Sequence, residues 1–468
     1  MRDIGRITLW NTEFIAVEEN DGLYLIPKEN EALRKVKEHI RDRDFVVCYH
    51  GERGLDSIAF VEQVEFSFTG HIKLLPKYII NHCISDSFTS LEITGDVIDD
   101  FFSPAHYFFD RSKDGDKNTV DLVYNCEVAD KWEIQFAEKP LTITLSFGDI
   151  LEWGSASDLK LHPKLTIEFA EAVDVQYVYR VYSFVLRFLR VVRYDSKCGK
   201  IRVDLYSHVD GKLSLSGSFR DFSIDQESFD KGNHYVQYGY YKTYIQRFLQ
   251  FSADNPNYTF YHYPTEGLRY LGCHYSAVDF INIFSAFEAE CRAQKNLYEK
   301  VDTSKVQSIK DILVEQIEAI SEEGLDKVEV EFLENAKKRI MQLGTQVGQS
   351  KKIETAYQVL QNALDGSIEN IFYLPEFRLK GSLTLEQQKK ISGFLTGQRA
   401  KVAHGGFSGG FSDIDAQKIH FLEVMTYAQL LKRIGLDDVD IERIIGAVFA
   451  CNYRLAEEIR GRFRDAKS

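Results

Sequence analysis

The seven cysteines, Cys48, Cys83, Cys126, Cys198, Cys273, Cys291 and Cys451, are scattered, with no Cys-x-x-Cys and no repeated ligand spacing. They therefore read as reduced thiols of a cytoplasmic protein. His50 near Cys48 and His82 beside Cys83 lack partners at zinc-ligand distances along the chain, so structural roles suffice for them and no metal is expected. Phosphate-loop chemistry is missing as well. Gly405-Gly406-x2-Gly409-Gly410 has neither the lysine nor the preceding strand that such a loop requires, and no dinucleotide fingerprint occurs, so no cofactor is expected. Met1-Arg2-Asp3-Ile4-Gly5-Arg6 leads straight into a short strand-like run, without the apolar region of a signal peptide. The most apolar long stretch, Tyr177 to Tyr194, is broken by Arg180, Arg187, Arg190 and Arg193, which a bilayer tolerates poorly, so no membrane partner is expected. Internal repeats at solenoid periods and low-complexity linkers are also lacking.

What is present is a chain of 468 residues, 44% hydrophobic, long enough for two or three domains. Its net charge of −14 is unevenly placed. From residue 270 onward there are 26 basic and 29 acidic residues, against 31 and 42 before it. An acidic surface repels phosphate backbones, so any nucleic-acid contact is expected at a local basic site in the C-terminal part.

The first ~265 residues are rich in short β-branched and aromatic runs such as Gly22-Leu23-Tyr24-Leu25-Ile26, Phe45-Val46-Val47-Cys48-Tyr49 and Leu141-Thr142-Ile143-Thr144-Leu145. Lys200 to Leu205 and Lys212 to Ser216 flank Asp210-Gly211, a strong hairpin signal. A long helix is expected from about Val173 to Tyr194. Beyond the turn at Asn255-Pro256-Asn257 the pattern becomes helical near residue 274. Ala277, Phe280, Ile281, Phe284, Phe287 and Cys291 recur at helical spacing, and segments around 304–320, 327–345, 385–403, 415–434 and 438–460 behave alike. The fold class is therefore α+β: a β-rich region at 1–265, as one domain or two (near 1–150 and 151–265), followed by an all-α helical bundle at 270–468.

The most chemically loaded stretch is Arg399-Ala400-Lys401-Val402-Ala403-His404, ending in Gly405-Gly406. The same Arg-x4-His spacing occurs at Arg34 to His39 and at Arg269 to His274, so spacing alone decides nothing. Arg34 lies in a charge-dense run, and Arg269 in a junction without helical periodicity; both read as surface or linker residues. The third copy follows a capping-box-like start at Thr384-Leu385-Glu386-Gln387 and an apolar face of Ile391, Phe394, Leu395 and Val402, and it stops at two glycines. His404 then falls in or just beyond the last turn, where carbonyl dipoles favour an imidazolium. Five residues on a straight helix are about 140° apart, so Arg399 must reach along the surface or the helix end must turn.

A helical bundle with Phe287-Glu288 in its first long helix and Arg399-x4-His404-Gly405 ending a late one resembles the HEPN ribonucleases. The whole chain is similar to the ApeA-type anti-phage defence family, in which a β-rich region precedes a HEPN domain; Leu161-His162-Pro163-Lys164-Leu165-Thr166-Ile167-Glu168-Phe169 before a long helix is similar to its N-terminal portion. The resemblance implies a metal-independent endoribonuclease acting in abortive infection. Its implied partners are RNA, with tRNA as one candidate, a second copy in a homodimer or higher even oligomer, and a phage-derived trigger. Ala400 departs from the pattern, since many such motifs carry Asn, Asp or His there.

An always-charged arginine and a histidine that titrates near neutrality suit RNA cleavage by its own 2′-hydroxyl: His404 moves protons and Arg399 stabilises charge on the phosphoryl oxygens. Glu288 is the candidate that orients either one, against a plain solvated carboxylate. Lys401, Arg292 and Lys295 are candidate RNA contacts, against ordinary surface charge. The arginines of the 180–193 segment read as a solvent-facing side pairing with the acidic region's own carboxylates, and Tyr235 to Tyr244 as aromatics filling a β-rich core. The rival to a nuclease is a non-catalytic module that binds a nucleotide or a protein, with Arg399 and His404 holding a surface together.

Overall fold

The computed structural model describes residues 3–9, 12–19, 21–28, 45–51, 56–66, 71–103, 129–150, 160–195, 198–222, 238–256, 275–298, 304–321, 325–342, 347–406 and 409–449. The chain divides into two compact units, Met1–Pro264 and Thr265–Ser468. The Arg-x4-His copies at Arg34 and Arg269 lie outside the described residues.

The first unit is built on antiparallel strands β1 (Asp3–Leu9), β2 (Thr12–Glu19), β3 (Gly22–Pro27), β4 (Phe45–Gly51), β5 (Asp56–Phe66), β6 (Ile72–Cys83), β7 (Phe88–Gly95), β8 (Asp130–Phe136), β9 (Lys139–Ile150), β10 (Lys160–Val173), β11 (Ile201–Val209) and β12 (Lys212–Asp221). Their order is β3-β2-β1-β4-β5-β6-β12-β11-β7-β10-β9-β8, and a further β3–β6 pairing closes the first six into a barrel. β6 belongs to both halves. Ile72 to Leu74 pair with β3, whereas Tyr78 to Asn81 pair with β12. The switch falls around Pro76, which has no N–H for a ladder, and the β5–β6 register shifts on either side of its partner Val61. Alternate residues such as Ile7, Phe14, Leu23, Leu25, Val47 and Ile72 fill the barrel. Glu18, buried at its wall, accepts from Tyr49 Oη at 2.9 Å and from Arg220 of β12 at 2.8 Å, so the carboxylate is satisfied and ties the barrel to the open sheet.

The hairpin expected at Asp210-Gly211 is present: Val209 pairs with Lys212, and both turn residues take positive φ, as a two-residue type I′ loop demands. Against the open half lie helices α1 (Asp96–Phe101), α2 (Val175–Arg193) and α3 (Ile245–Asp254). The Asp174 side chain caps α2 by accepting from the Tyr177 N–H. Arg193 corrects the expectation of a solvent-facing basic side, because it is fully buried and paired with Asp100 at 3.2 Å. Burial of so large a cation requires such a partner. Arg180 is exposed and covers the Phe136 ring. Tyr238 and Tyr241 are buried against Phe101, as core filling required. The edge strand β8 is covered by side-chain amides: Gln250 donates to the Gln135 carbonyl and accepts from its N–H, both at 2.9 Å, and Gln246 donates to the Glu133 carbonyl.

The second unit has helices and no strand among its described residues: α4 (Ala277–Ala293), α5 (Ser304–Ser321), α6 (Lys327–Gln342), α7 (Gln349–Leu364), α8 (Leu385–Ala403), α9 (Asp413–Ile434) and α10 (438–449), with single turns between some of them. The 438–460 segment is helical to 449, and the rest of it lies outside the described residues. α9 is buried along almost its whole length and packs against α4 and α7, while α8 lies against α4 and α7. α7 was not among the expected helices, although Ile353, Ala356, Tyr357, Leu360, Ala363 and Leu364 form its buried face. It begins at Gly348 with no side-chain cap. Among the described residues no helix is long and apolar enough to cross a membrane.

Candidate functional site

α8 begins as its sequence dictates, with Thr384 accepting from the Gln387 N–H and the Gln387 side chain accepting from the Thr384 N–H. Ile391 and Leu395 are buried, and Phe394 and Val402 are half-buried. The face toward α7 is more polar than the apolar pattern suggested. Ser392 Oγ donates to Glu354 at 3.0 Å, and Ser350 and Thr396 share a hydrogen bond of 2.9 Å. These contacts fix the rotation of α8 and place Arg399 toward α4.

There Arg399 Nη2 lies 3.4 Å from Glu288 Oε1, with the guanidinium 5.9 Å from the Phe284 ring centroid. Glu288 is only 15% exposed in its side chain, Arg399 41%. The same Glu288 oxygen accepts from Gln349 Nε2 at 2.8 Å, from the first residue of α7. Three helices therefore converge on one carboxylate. A pair this close to solvent contributes little to stability, about 0–1 kcal/mol, so its consequence is orientation.

His404 is the C-cap of α8. The helix closes in a Schellman turn: Gly406 N–H donates to the Lys401 carbonyl at 2.9 Å and Gly405 N–H to Val402 at 3.2 Å, with Gly405 at φ +71°. His404 itself donates its N–H to Ala400 at 3.1 Å. The helix end thus does turn, and the turn begins at His404. Its imidazole is exposed and makes no hydrogen bond or ion pair among the described residues.

Glu288 and Arg399 are the sequence-named residues brought together directly. Lys401 is exposed in the last turn of α8; Arg292 and Lys295 are exposed at the end of α4 and in the turn after it. Among the described contacts none links these three to Glu288 or Arg399. Gln349 was not singled out by sequence reasoning, since nothing there marked the start of α7. No group of three or more His, Cys, Asp or Glu side chains is placed to hold a metal among the described residues.

A second polar cluster lies deeper. Tyr275 Oη is 2.8 Å from His420 Nδ1 and donates to Glu423 at 2.6 Å, all three residues buried. Glu290, fully buried, pairs with Arg433 at 3.0 Å. These groups satisfy one another inside the bundle, as buried polar networks must. A cavity of about 650 Å³ belongs to the other unit, where Glu133, Thr142, Glu168 and Gln246 line it.

No protein-family model, no curated protein and no solved structure matches this chain. The functional reading consequently rests on the residues themselves.

Proposed function

We propose that the chain is a metal-independent endoribonuclease of the HEPN type, acting through Arg399 and His404 in abortive anti-phage defence. The observation that supports the reading is the placement of Arg399: it pairs with Glu288 of α4, a carboxylate that Gln349 of α7 also holds, and it lies on the helix whose C-cap is the exposed His404. A guanidinium has five N–H donors, so one bond to Glu288 leaves others for phosphoryl oxygens.

In the proposed reaction the 2′-hydroxyl loses its proton to a neutral imidazole and its oxygen attacks the adjacent phosphorus. Arg399 stabilises the added negative charge. The bond from phosphorus to the 5′-oxygen then breaks, and an imidazolium gives that oxygen a proton, leaving a 2′,3′-cyclic phosphate and a 5′-hydroxyl. A twofold dimer supplies two copies of His404, one as base and one as acid. Lys401, Arg292 and Lys295 are the proposed backbone contacts.

The Arg399–Glu288 pair also suits the rival reading, in which it merely joins α4 to α8 in a module that binds a nucleotide or protein. Expression in a host separates the two. The nuclease reading expects growth arrest that His404→Ala abolishes with the protein still folded; equal growth with either form would leave only the binding module.

A further inference from the structure

Polar contacts step along the side of α8 that meets α7. Ser392 Oγ donates to Glu354 at 3.0 Å, and Thr396 Oγ1 shares a hydrogen bond of 2.9 Å with Ser350. The α7 partner moves back from Glu354 to Ser350 as the α8 residue moves on from Ser392 to Thr396, so the two helices run antiparallel here. Arg399 is the next residue on that side of α8, since Ser392, Thr396 and Arg399 follow the i, i+4, i+7 spacing of one helix face. At its level α7 has reached its first residue, Gln349. The seam is completed there through a third helix: Gln349 Nε2 donates to Glu288 Oε1 at 2.8 Å, and that oxygen lies 3.4 Å from Arg399 Nη2.

Stability does not account for an amide at this place. The other amide atom, Gln349 Oε1, is buried and has no hydrogen-bond partner among the described residues. The bond gained at Nε2 is therefore set against an acceptor stripped of water. An unbranched apolar side chain of similar length would strand no such acceptor. What only the amide supplies is a donor that pins one oxygen of Glu288. The last torsion of a glutamate side chain is broad, so a carboxylate without that donor turns and presents either oxygen to its surroundings. With Oε1 pinned from α7, the carboxylate is set, and the guanidinium that pairs with it is set in turn.

We propose that Gln349 is a positioning residue: acting through Glu288, it holds the Arg399 guanidinium in the orientation that meets a phosphoryl group of RNA. The substrate in this statement rests on the nuclease reading, whereas the hold on Arg399 is measurable without it. In the full chain, the rate at which phenylglyoxal modifies Arg399, followed by mass spectrometry of its peptide, should rise about tenfold in Gln349→Met, the factor that one lost hydrogen bond to a charged group allows. Glu288→Gln should raise it at least as much. Gln349→Met should add nothing in that background, because residues acting through one another are not additive. Single-turnover RNA cleavage should fall about tenfold in Gln349→Met, with the half-saturating RNA concentration and the melting temperature unchanged. A wild-type modification rate in Gln349→Met, effects that multiply in the double variant, or a freed Arg399 with cleavage undiminished would each overturn the proposal. A wild-type chain that leaves RNA intact, with Arg399 still freed by Gln349→Met, would uphold the hold on Arg399 and overturn the nuclease reading alone.

Discussion

One oxygen of Glu288 accepts from Gln349 at 2.8 Å and lies 3.4 Å from Arg399 Nη2 as an ion pair. Lysine at 399 would keep the charge but lose the planar fork that can serve carboxylate and phosphate together. On the proposed reading, Arg399→Lys slows single-turnover RNA cleavage about 100-fold, a loss in the range for one missing transition-state donor, with the melting temperature unchanged. A wild-type rate would reduce Arg399 to a bare positive charge. A second residue carries stability instead. Tyr357 Oη donates to Asp365 at 2.6 Å and accepts from the buried Leu383 N–H at 2.8 Å, and burial holds its phenol well above the usual tyrosine range. Tyr357→Phe strands that N–H and should cost about 1–3 kcal/mol in denaturant unfolding, with cleavage intact. Arg399 and His404 were legible as candidates because their residue types stand at the glycine stop of a capped helix, and Glu288 because of its place in the first long helix. Gln349 was not, since an amide announces nothing until its neighbour is known.

Elements were legible where local chemistry decides them. The cap at Thr384, the glycine stop after His404 and the Asp210-Gly211 turn each satisfy their own backbone groups within a few residues. α7 was not, because Gly348 supplies no capping side chain and lysines interrupt its first turn. Barrel closure was equally hidden: β3 meets β6 across some fifty residues of chain, and nothing in either strand names its partner. The end of α8 offers a test at this level. A Cβ on Gly405 would meet nothing within 4 Å, yet the residue sits at φ +71°. Gly405→Ala should thus cost only the left-handed backbone penalty, about 1–2 kcal/mol. On the proposed reading it also lowers cleavage more than that loss explains, because the turn that fixes His404 as the C-cap is weakened. Activity that follows stability alone would show that the turn does not position His404.

For the molecule as a whole, charge and structure divide alike. The β-rich part before residue 270 carries 31 basic and 42 acidic residues, the helical part 26 and 29. All six candidate site residues belong to the second unit, Thr265–Ser468. On the proposed reading the first unit restrains a nuclease harmful to its own cell until a phage-derived ligand shifts the balance of states. A fragment spanning 265–468 is then expected to be more toxic than the full chain, with toxicity still dependent on His404; a folded but inert fragment would make the first unit part of the active enzyme. The most direct test of the central claim is the end chemistry of RNA treated with the purified full chain in EDTA. The account predicts 2′,3′-cyclic phosphate and 5′-hydroxyl ends that disappear with His404→Ala. Intact RNA in EDTA, with cleavage restored by a divalent metal or persisting in the His404→Ala protein, would contradict it.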